Sequence, residues 1–392
     1  MNAPGKKQTG TSSMGNSKLL YAANALAIHG DRLPKYFIFF VTSRCNASCD
    51  FCHFKYQIED PVRKKLELSV DEIEKIASAY GKISKLSFSG GEPFIRTDLP
   101  EIVDVFVRHC DPQIIDIPTN GSMPERIERT VKAILPHIGN RVLDIQLSID
   151  GDEETHNRIR GIPGLYRKIL DTYDRLSKLR ETHPQLRLKM NLVYCAENRD
   201  ITAKMARFFE EKFDFDRFQI TYPHGNSVDQ EIFQDVDFEN FRLLSQDIQR
   251  HFTIRDRRDL HSLLFRAIKM VRDDVLRDAH VFLKDMGAIC KAGERILVLD
   301  DIGEIYPCEP LWESVGNVRE HGYDVRSILA GPRMAQFRDK HLGKGKCTCA
   351  WGCVALEKII YTPSLYPRLM ANIAYLLWRG GDGFAKRTPG EA

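Results

Sequence analysis

Between Tyr36 and Tyr222 the chain alternates short apolar segments with amphipathic stretches six times, and this constrains its fold more than any other feature. The apolar segments are Tyr36–Thr42, Lys85–Ser89, Gln113–Ile117, Val142–Ile149, Arg187–Tyr194 and Arg217–Thr221. Between the first two, Ser69 and Glu72 form a capping box ahead of Ile73, Ile76, Ala77 and Tyr80 at helical spacing. Further helices fit Leu99–Val107, Glu125–Leu135, Leu165–Leu179 and Ile201–Phe213. Strands joined through helices cross over right-handed into a mostly parallel sheet, so the fold class is α/β. Six units fall short of the eight that close a barrel. A partial (β/α)6 barrel is therefore expected, with its active site at the C-terminal ends of the strands.

The rest of the chain divides around that unit. Residues 1–34 read as a flexible polar tail, 35–228 as the barrel, and 229–286 as a charged helical bridge. Residues 287–358 form a second cysteine-bearing domain, and 359–392 a closing helix and tail. In the last segment Leu365, Leu369, Ile373 and Leu376 recur at near-helical spacing, which fits a docked helix. The alternative is a helix lying on a membrane surface, with Arg379, Lys386 and Arg387 near lipid headgroups. No apolar run reaches the roughly 18 residues of a spanning helix, and no secretion signal opens the chain. A cytoplasmic location is the expectation. A net charge of +3, with local basic runs broken by acids, argues against a nucleic-acid substrate.

Ten cysteines without a secretion signal argue for metal rather than disulfides. Directly after the first strand comes Cys45-Asn-Ala-Ser-Cys49-Asp-Phe-Cys52. Three thiolates in one loop can hold three irons of a [4Fe–4S] cube and leave the fourth iron open to a small chelating ligand. The alternative is zinc with His53 as fourth ligand, although zinc sites usually use paired C-x2-C spacing. Cys110 and Cys195 fall at a helix end and a strand end, as ordinary buried thiols do.

This loop, in this place, resembles the signature of the radical S-adenosylmethionine superfamily, and further motifs in residues 36–222 support it. Gly90-Gly91-Glu92-Pro93 follows the second strand as that family's GGEP motif does, and the resemblance implies that it holds the methionine amine. Two glycines let backbone approach a ligand closely, and Glu92 can accept hydrogen bonds from an ammonium. Gln146-Leu-Ser148-Ile-Asp150-Gly151 ends the fourth strand, and Arg160 stands twelve residues beyond Ser148. In the similar subfamily that carries extra clusters, this Ser contacts the ribose and this Arg the methionine carboxylate. A guanidinium fork suits a carboxylate; the alternative for Arg160 is a surface arginine. Asn120, in Thr119-Asn120-Gly121, either lines the site or serves the turn. Phe51 and Tyr222 occupy the regions that flank adenine in relatives, with ordinary packing as the alternative.

The second cysteine set is Cys290, Cys308, Cys347, Cys349 and Cys353. Ile296–Tyr306 reads as a β-hairpin turning at Gly303, so the second domain should be α+β, and the hairpin can carry Cys290 and Cys308 to one centre. The layout resembles the twitch and SPASM extensions that bind auxiliary [4Fe–4S] clusters. Five cysteines can fully ligate one cluster, not two. The expectation is one auxiliary cluster held by Cys290, Cys308, Cys353 and either Cys347 or Cys349, with zinc as the alternative. Glu309 follows Cys308, where related enzymes place an acidic base, and this chain has Glu in place of their usual Asp. The alternative is a surface carboxylate.

The resemblance implies an enzyme that cleaves S-adenosylmethionine to a 5′-deoxyadenosyl radical, using a reduced flavodoxin- or ferredoxin-type donor. The radical then takes hydrogen from a substrate, in a two-electron oxidation or a rearrangement. Only 35 residues precede the first strand, too few for the peptide-recognition domain that many peptide-modifying relatives carry. The expected substrate is therefore a small molecule such as a sugar, an aminocyclitol or a lipid-linked intermediate. A peptide is the second reading. An electron carrier with no chemistry of its own is the third, and the groups suited to an amino acid disfavour it.

Overall fold

The computed structural model describes residues 33–223, 237–252, 260–284, 290–342, 347 and 351–379. Residues 1–32, the 229–236, 253–259 and 285–286 parts of the bridge, Cys349, Lys386 and Arg387 lie outside it.

Six parallel strands form as the alternation predicts: β1 Tyr36–Phe40, β2 Lys85–Ser89, β3 Ile114–Thr119, β4 Val142–Ser148, β5 Leu186–Val193 and β6 Arg217–Thr221. The sheet is an α/β partial barrel, and it does not stop at β1. A hairpin, β7 Ile296–Leu299 and β8 Glu304–Tyr306, adds β7 in parallel beside β1, and a short β9 Gly316–Asn317 follows antiparallel. The order across the sheet is β6-β5-β4-β3-β2-β1-β7-β8-β9. Gly303 makes the hairpin turn with φ +93°, a conformation open to glycine.

The outer face of the sheet is apolar and lies under the helices. Phe37 of β1 sits 4.9 Å from the Tyr80 ring and 5.8 Å from that of Phe106, so the helices Val70–Tyr80 and Leu99–Cys110 cover this strand. The capping box of Ser69 and Glu72 starts the first of them. Phe88, Ile117, Ile145, Met190 and Ile220 continue the same buried layer. At about 25 cal/mol per Å2 of apolar surface, such a layer is the chief source of stability.

The inner face is different. Its positions on β2 to β6 are mostly polar, including Lys85 and Ser87, Asp116, Asp144 and Gln146, Lys189 and Asn191, and Gln219 and Thr221. Lys189 bridges Asp116 at 2.7 Å and Asp144 at 2.5 Å, while Gln219 binds Asn191 at 3.0 Å and Gln146 at 3.2 Å. The helix Phe238–His251 packs on β6, the helix Leu260–His280 brings Lys269 to Gln219 on this face, and the helix Gly352–Ile360 brings Cys353 to Tyr36 of β1. The closing helix, Tyr366–Arg379, packs Leu376 beside Leu263, Ala267 and Met270, which is the docked arrangement. Among the described residues no helix is long and apolar enough to cross a membrane.

The hairpin is fastened to the barrel by buried charge. Arg63, downstream of the cysteine loop, reaches Asp300 at 2.6 Å and Asp301 at 2.5 Å, and Tyr306 donates to Asp300 at 2.9 Å. Buried carboxylates persist when a guanidinium and hydrogen bonds meet them.

Candidate active site

The cysteine loop hangs from the C-terminal end of β1 and is laced to both neighbours. Gly91 donates its N–H to Thr42 O at 2.8 Å, and Glu92 its N–H to Arg44 O at 2.9 Å. A Cβ on Gly90 or Gly91 would overlap those carbonyls, and Gly90 holds φ +125°. The sequence suggested that these glycines admit a ligand; the structure shows that what they admit is the cysteine loop's own backbone. On the far side Ser48 donates its N–H to Arg160 O at 3.1 Å, and Gly161 leaves room for the Ser48 side chain.

Glu92 is buried, and its two oxygens accept from Thr119 Oγ1 at 2.8 Å, Asn120 N at 2.7 Å and Phe94 N at 3.2 Å. Pro93 opens the short turn that supplies the last of these donors. Burial pushes the Glu92 carboxyl up to about 7, against the pull of its donors. An ammonium arriving there would restore its charge. Asn120 also donates to Asn46 Oδ1 at 2.9 Å, and Asn46 donates to Ser122 Oγ at 2.7 Å. Asn120 thus ties the end of β3 to the cysteine loop. Asn46 and Thr119 were missed in the sequence, where nothing marks a small polar residue as a brace.

Arg160 is buried, not a surface arginine. Its Nε donates to Asp150 Oδ2 at 2.5 Å, and its guanidinium lies 5.3 Å from the Phe51 ring centre. Asp150 also accepts from Val193 N at 2.9 Å, while His156 Nδ1 accepts from Asp150 N at 3.1 Å. Asp150 therefore positions Arg160, and His156 positions Asp150. Ser148, buried, ends β4 level with Asn191 of β5. The geometry gathers Cys45, Cys49, Cys52, Phe51, Gly90, Gly91, Glu92, Pro93, Asn120, Asp150 and Arg160 around one loop. Tyr222 lies instead in an aromatic cluster, with ring centres 4.8 Å from Phe238 and 5.3 Å from Phe241 and His280.

The three thiols fit an iron–sulfur cluster. Burial pushes Cys45 up to about 12 and Cys52 up to about 11, and raises Cys49 while Arg160 pulls it back. The nearby thiols oppose ionisation further. Three such neighbours become thiolates together when a metal supplies the positive charge. Among the described residues no three His, Cys, Asp or Glu side chains converge on one ion. Ligands of a cuboidal cluster each take a different iron and need not converge, unlike zinc ligands. His53 turns to Glu309, Nε2 to Oε1 at 3.1 Å.

In the second set, burial raises the thiols of Cys290 and Cys308, and the nearby Cys347 raises both further. Cys353 starts the helix Gly352–Ile360, where Tyr36 OH donates to its Sγ at 3.6 Å and Lys85 acts on it. Glu309 is buried beside His53, and its charge reaches both Cys308 and Cys353. It is not a surface carboxylate, and it stands between the cysteine loop and the second set. Cys110 and Cys195 are buried apart from either set, Cys110 Sγ donating to Ala77 O at 3.3 Å.

Comparison with known proteins agrees with this geometry. A family model described as the radical SAM superfamily matches residues 39–198, and one described as an iron–sulfur cluster-binding domain, SPASM, matches residues 290–353. The AdoMet-dependent heme synthase of Methanosarcina barkeri is 24% identical over 330 residues, 80% of this chain and 87% of that protein. Streptococcus suis SuiB bound to S-adenosylmethionine matches with TM-score 0.55 at 16% identity, over 89% of this chain and 79% of its own. The structure of anSMEcpe with AdoMet and the Kp18Cys peptide matches with TM-score 0.55 at 15% identity, over 86% and 98%. At such identities these two structures speak for the fold. Taken with the three-cysteine loop, the GGEP turn and the second cysteine set, these matches make the chain a radical SAM superfamily enzyme with a C-terminal SPASM iron–sulfur domain.

Proposed function

We propose that this enzyme oxidises or rearranges a small polar molecule held inside the partial barrel. The observation that carries the reading is the inner face itself, whose strands present charged and amide side chains at alternate positions toward the site at their C-terminal ends. When bound, the cluster of Cys45, Cys49 and Cys52 and its S-adenosylmethionine supply a carbon-centred radical that abstracts hydrogen. Glu92 binds the methionine ammonium, and Arg160, aimed by Asp150, binds the carboxylate. Ser148 reaches the ribose, and Phe51 covers the adenine beside Arg160. These residues fix orientation and exclude water, which is what radical chemistry asks of a protein.

Cys290, Cys308, Cys347 and Cys353, with Cys349 as the alternative to Cys347, would hold one auxiliary cluster, which would supply an acceptor for the substrate's electron. Glu309 accepts the substrate proton and passes it to His53, 3.1 Å away. A reduced flavodoxin- or ferredoxin-type donor feeds the first cluster. It docks at the open cleft of about 510 Å3 where Arg126, Arg129 and Lys168 outnumber Glu125 and Asp171, and whose Ser122 holds Asn46 of the cysteine loop. A compartment that keeps thiols reduced, the cytoplasm, suits this cofactor set.

The test is formation of 5′-deoxyadenosine by the anaerobically reconstituted enzyme with deuterated candidate sugars, aminocyclitols and peptides. Deuterium in the 5′-deoxyadenosine from a small molecule supports the reading. Deuterium from peptides alone overturns the substrate class, in line with the likeness to peptide-bound anSMEcpe.

A further inference from the structure

The closing helix Tyr366–Arg379 is apolar on two sides, and its docking covers one of them. Leu369, Ile373 and Leu376 form the docked stripe, packed with Leu263, Ala267 and Met270. Tyr366, Met370, Ala374 and Leu377 form a second stripe at helical spacing, turned away from that contact and exposed. Met370 and Leu377 are 60% and 66% exposed, and Trp378 beside them 78%. Ile360, whose carbonyl accepts from Tyr366 OH at 2.8 Å, and Leu264, next to Leu263 on the supporting helix, are exposed as well and widen the strip. A helix that packs on one side ordinarily turns polar and charged residues to the other, and one that is apolar all round is covered all round. Single apolar side chains on a surface need no cover; a continuous strip does.

Charge and size decide what covers it. From Lys358 to Arg379 the sequence holds no aspartate or glutamate. Arg368 is exposed on one flank of the strip, and on the same flank the Arg250 guanidinium lies 5.5 Å from the ring centre of Tyr375. A second copy of the chain laid antiparallel on the strip would set these arginines against their own kind. A helix of 14 residues offers a strip roughly 21 Å long and about 10 Å wide, about 200 Å2, whereas a stable protein interface takes about 800 Å2 from each partner. The surface of a bilayer asks for less. It takes an apolar strip into the acyl boundary, aromatic rings at headgroup level and cations toward anionic phosphates. Tyr366 and Trp378 stand at the two ends of the strip, and the long stem of an arginine lets its charge reach outward from the flank.

We propose that the outward face of the closing helix lies in the surface of an anionic lipid bilayer, with Met370 and Leu377 in the acyl boundary and Arg368 at the phosphates. The helix lies along the membrane rather than through it, and among the described residues no helix is long and apolar enough to cross. This goes beyond the reading of the substrate and does not depend on it, because the face concerned is turned away from the barrel.

The test is flotation of the reconstituted holoenzyme with vesicles of equal parts phosphatidylcholine and phosphatidylglycerol. Wild type should float with them, and its affinity should fall several-fold on vesicles of phosphatidylcholine alone or at high salt. The double variant Met370→Ser, Leu377→Ser should bind about tenfold more weakly or worse. Arg368→Glu should bind the anionic vesicles several-fold more weakly and lose the preference for them. Leu243→Ser, exposed on the helix Phe238–His251, should float as wild type. These variants should keep the wild-type iron content, thermal midpoint and reductant-driven 5′-deoxyadenosine formation, because none of the side chains supports the core or the site. Failure of wild type to float, or equal flotation by the double variant, overturns the proposal. So does a wild-type dimer that the double variant converts to monomer, since a second copy would then cover the strip. If 5′-deoxyadenosine still forms while wild type fails to float, the membrane face falls and the radical chemistry stands.

Discussion

His156 shows how one side chain can govern the site without touching a ligand. Its ring is fully buried, and its Nδ1 accepts from the backbone N–H of Asp150, which aims Arg160. Burial lowers the imidazole to about 4, so the folded protein keeps it neutral where the unfolded chain would protonate it. Between about 6.5 and 4 the unfolded state binds more protons, so stability is present above that window and is lost as pH falls through it. The loss should approach roughly 3 kcal/mol, and His156→Gln should abolish this dependence in urea melts at pH 7.5 and 4.5. Glu309 sits at the same scale. Glu309→Gln should leave S-adenosylmethionine binding intact and lower substrate oxidation by about a hundredfold, as loss of a general base does. Unchanged turnover would remove its role.

The elements around the cysteine loop are held by close backbone contact rather than by side-chain packing. Gly91→Ala would force the GGEP turn off Arg44 O, so the variant should lose iron and S-adenosylmethionine together, read by absorbance near the cluster's charge-transfer band. Gly164→Ala, with open space for a Cβ but a left-handed φ of +71°, is the control for backbone strain without overlap, and should keep its iron. Such contacts explain what the sequence showed and what it hid. The six strands, the capped helix before β2, the hairpin and the three-cysteine loop are local patterns, and each was legible because adjacent residues make it. Asn46, Asp300 and Lys269 act on residues dozens to hundreds of positions away, and no spacing announces that. The inner face was half visible. Lys-Leu-Ser-Phe-Ser and Arg-Phe-Gln-Ile-Thr alternate polar with apolar, whereas a parallel strand buried on both faces reads as continuously apolar.

At the scale of the molecule, the hairpin that leads to Cys308 belongs to the same sheet as the cysteine loop. β7 pairs with β1, Arg63 clamps Asp300 and Asp301, and Arg319 binds Glu72 at 2.6 Å. Arg63→Ala would strand two buried carboxylates and should cost about 3–5 kcal/mol, seen as a matching drop in unfolding free energy. The cleft beside the loop adds a second expectation. Arg129→Glu should raise the KM for a flavodoxin-type donor several-fold and leave dithionite-driven activity unchanged.

The most direct measurement is iron and acid-labile sulfide per chain after anaerobic reconstitution, for wild type and for the variant with Cys45, Cys49 and Cys52 replaced by Ala. One cluster at each cysteine set predicts about eight irons in wild type and about four in the variant. About four in wild type and none in the variant would leave the second set without its cluster. No iron in either would contradict the account at its root.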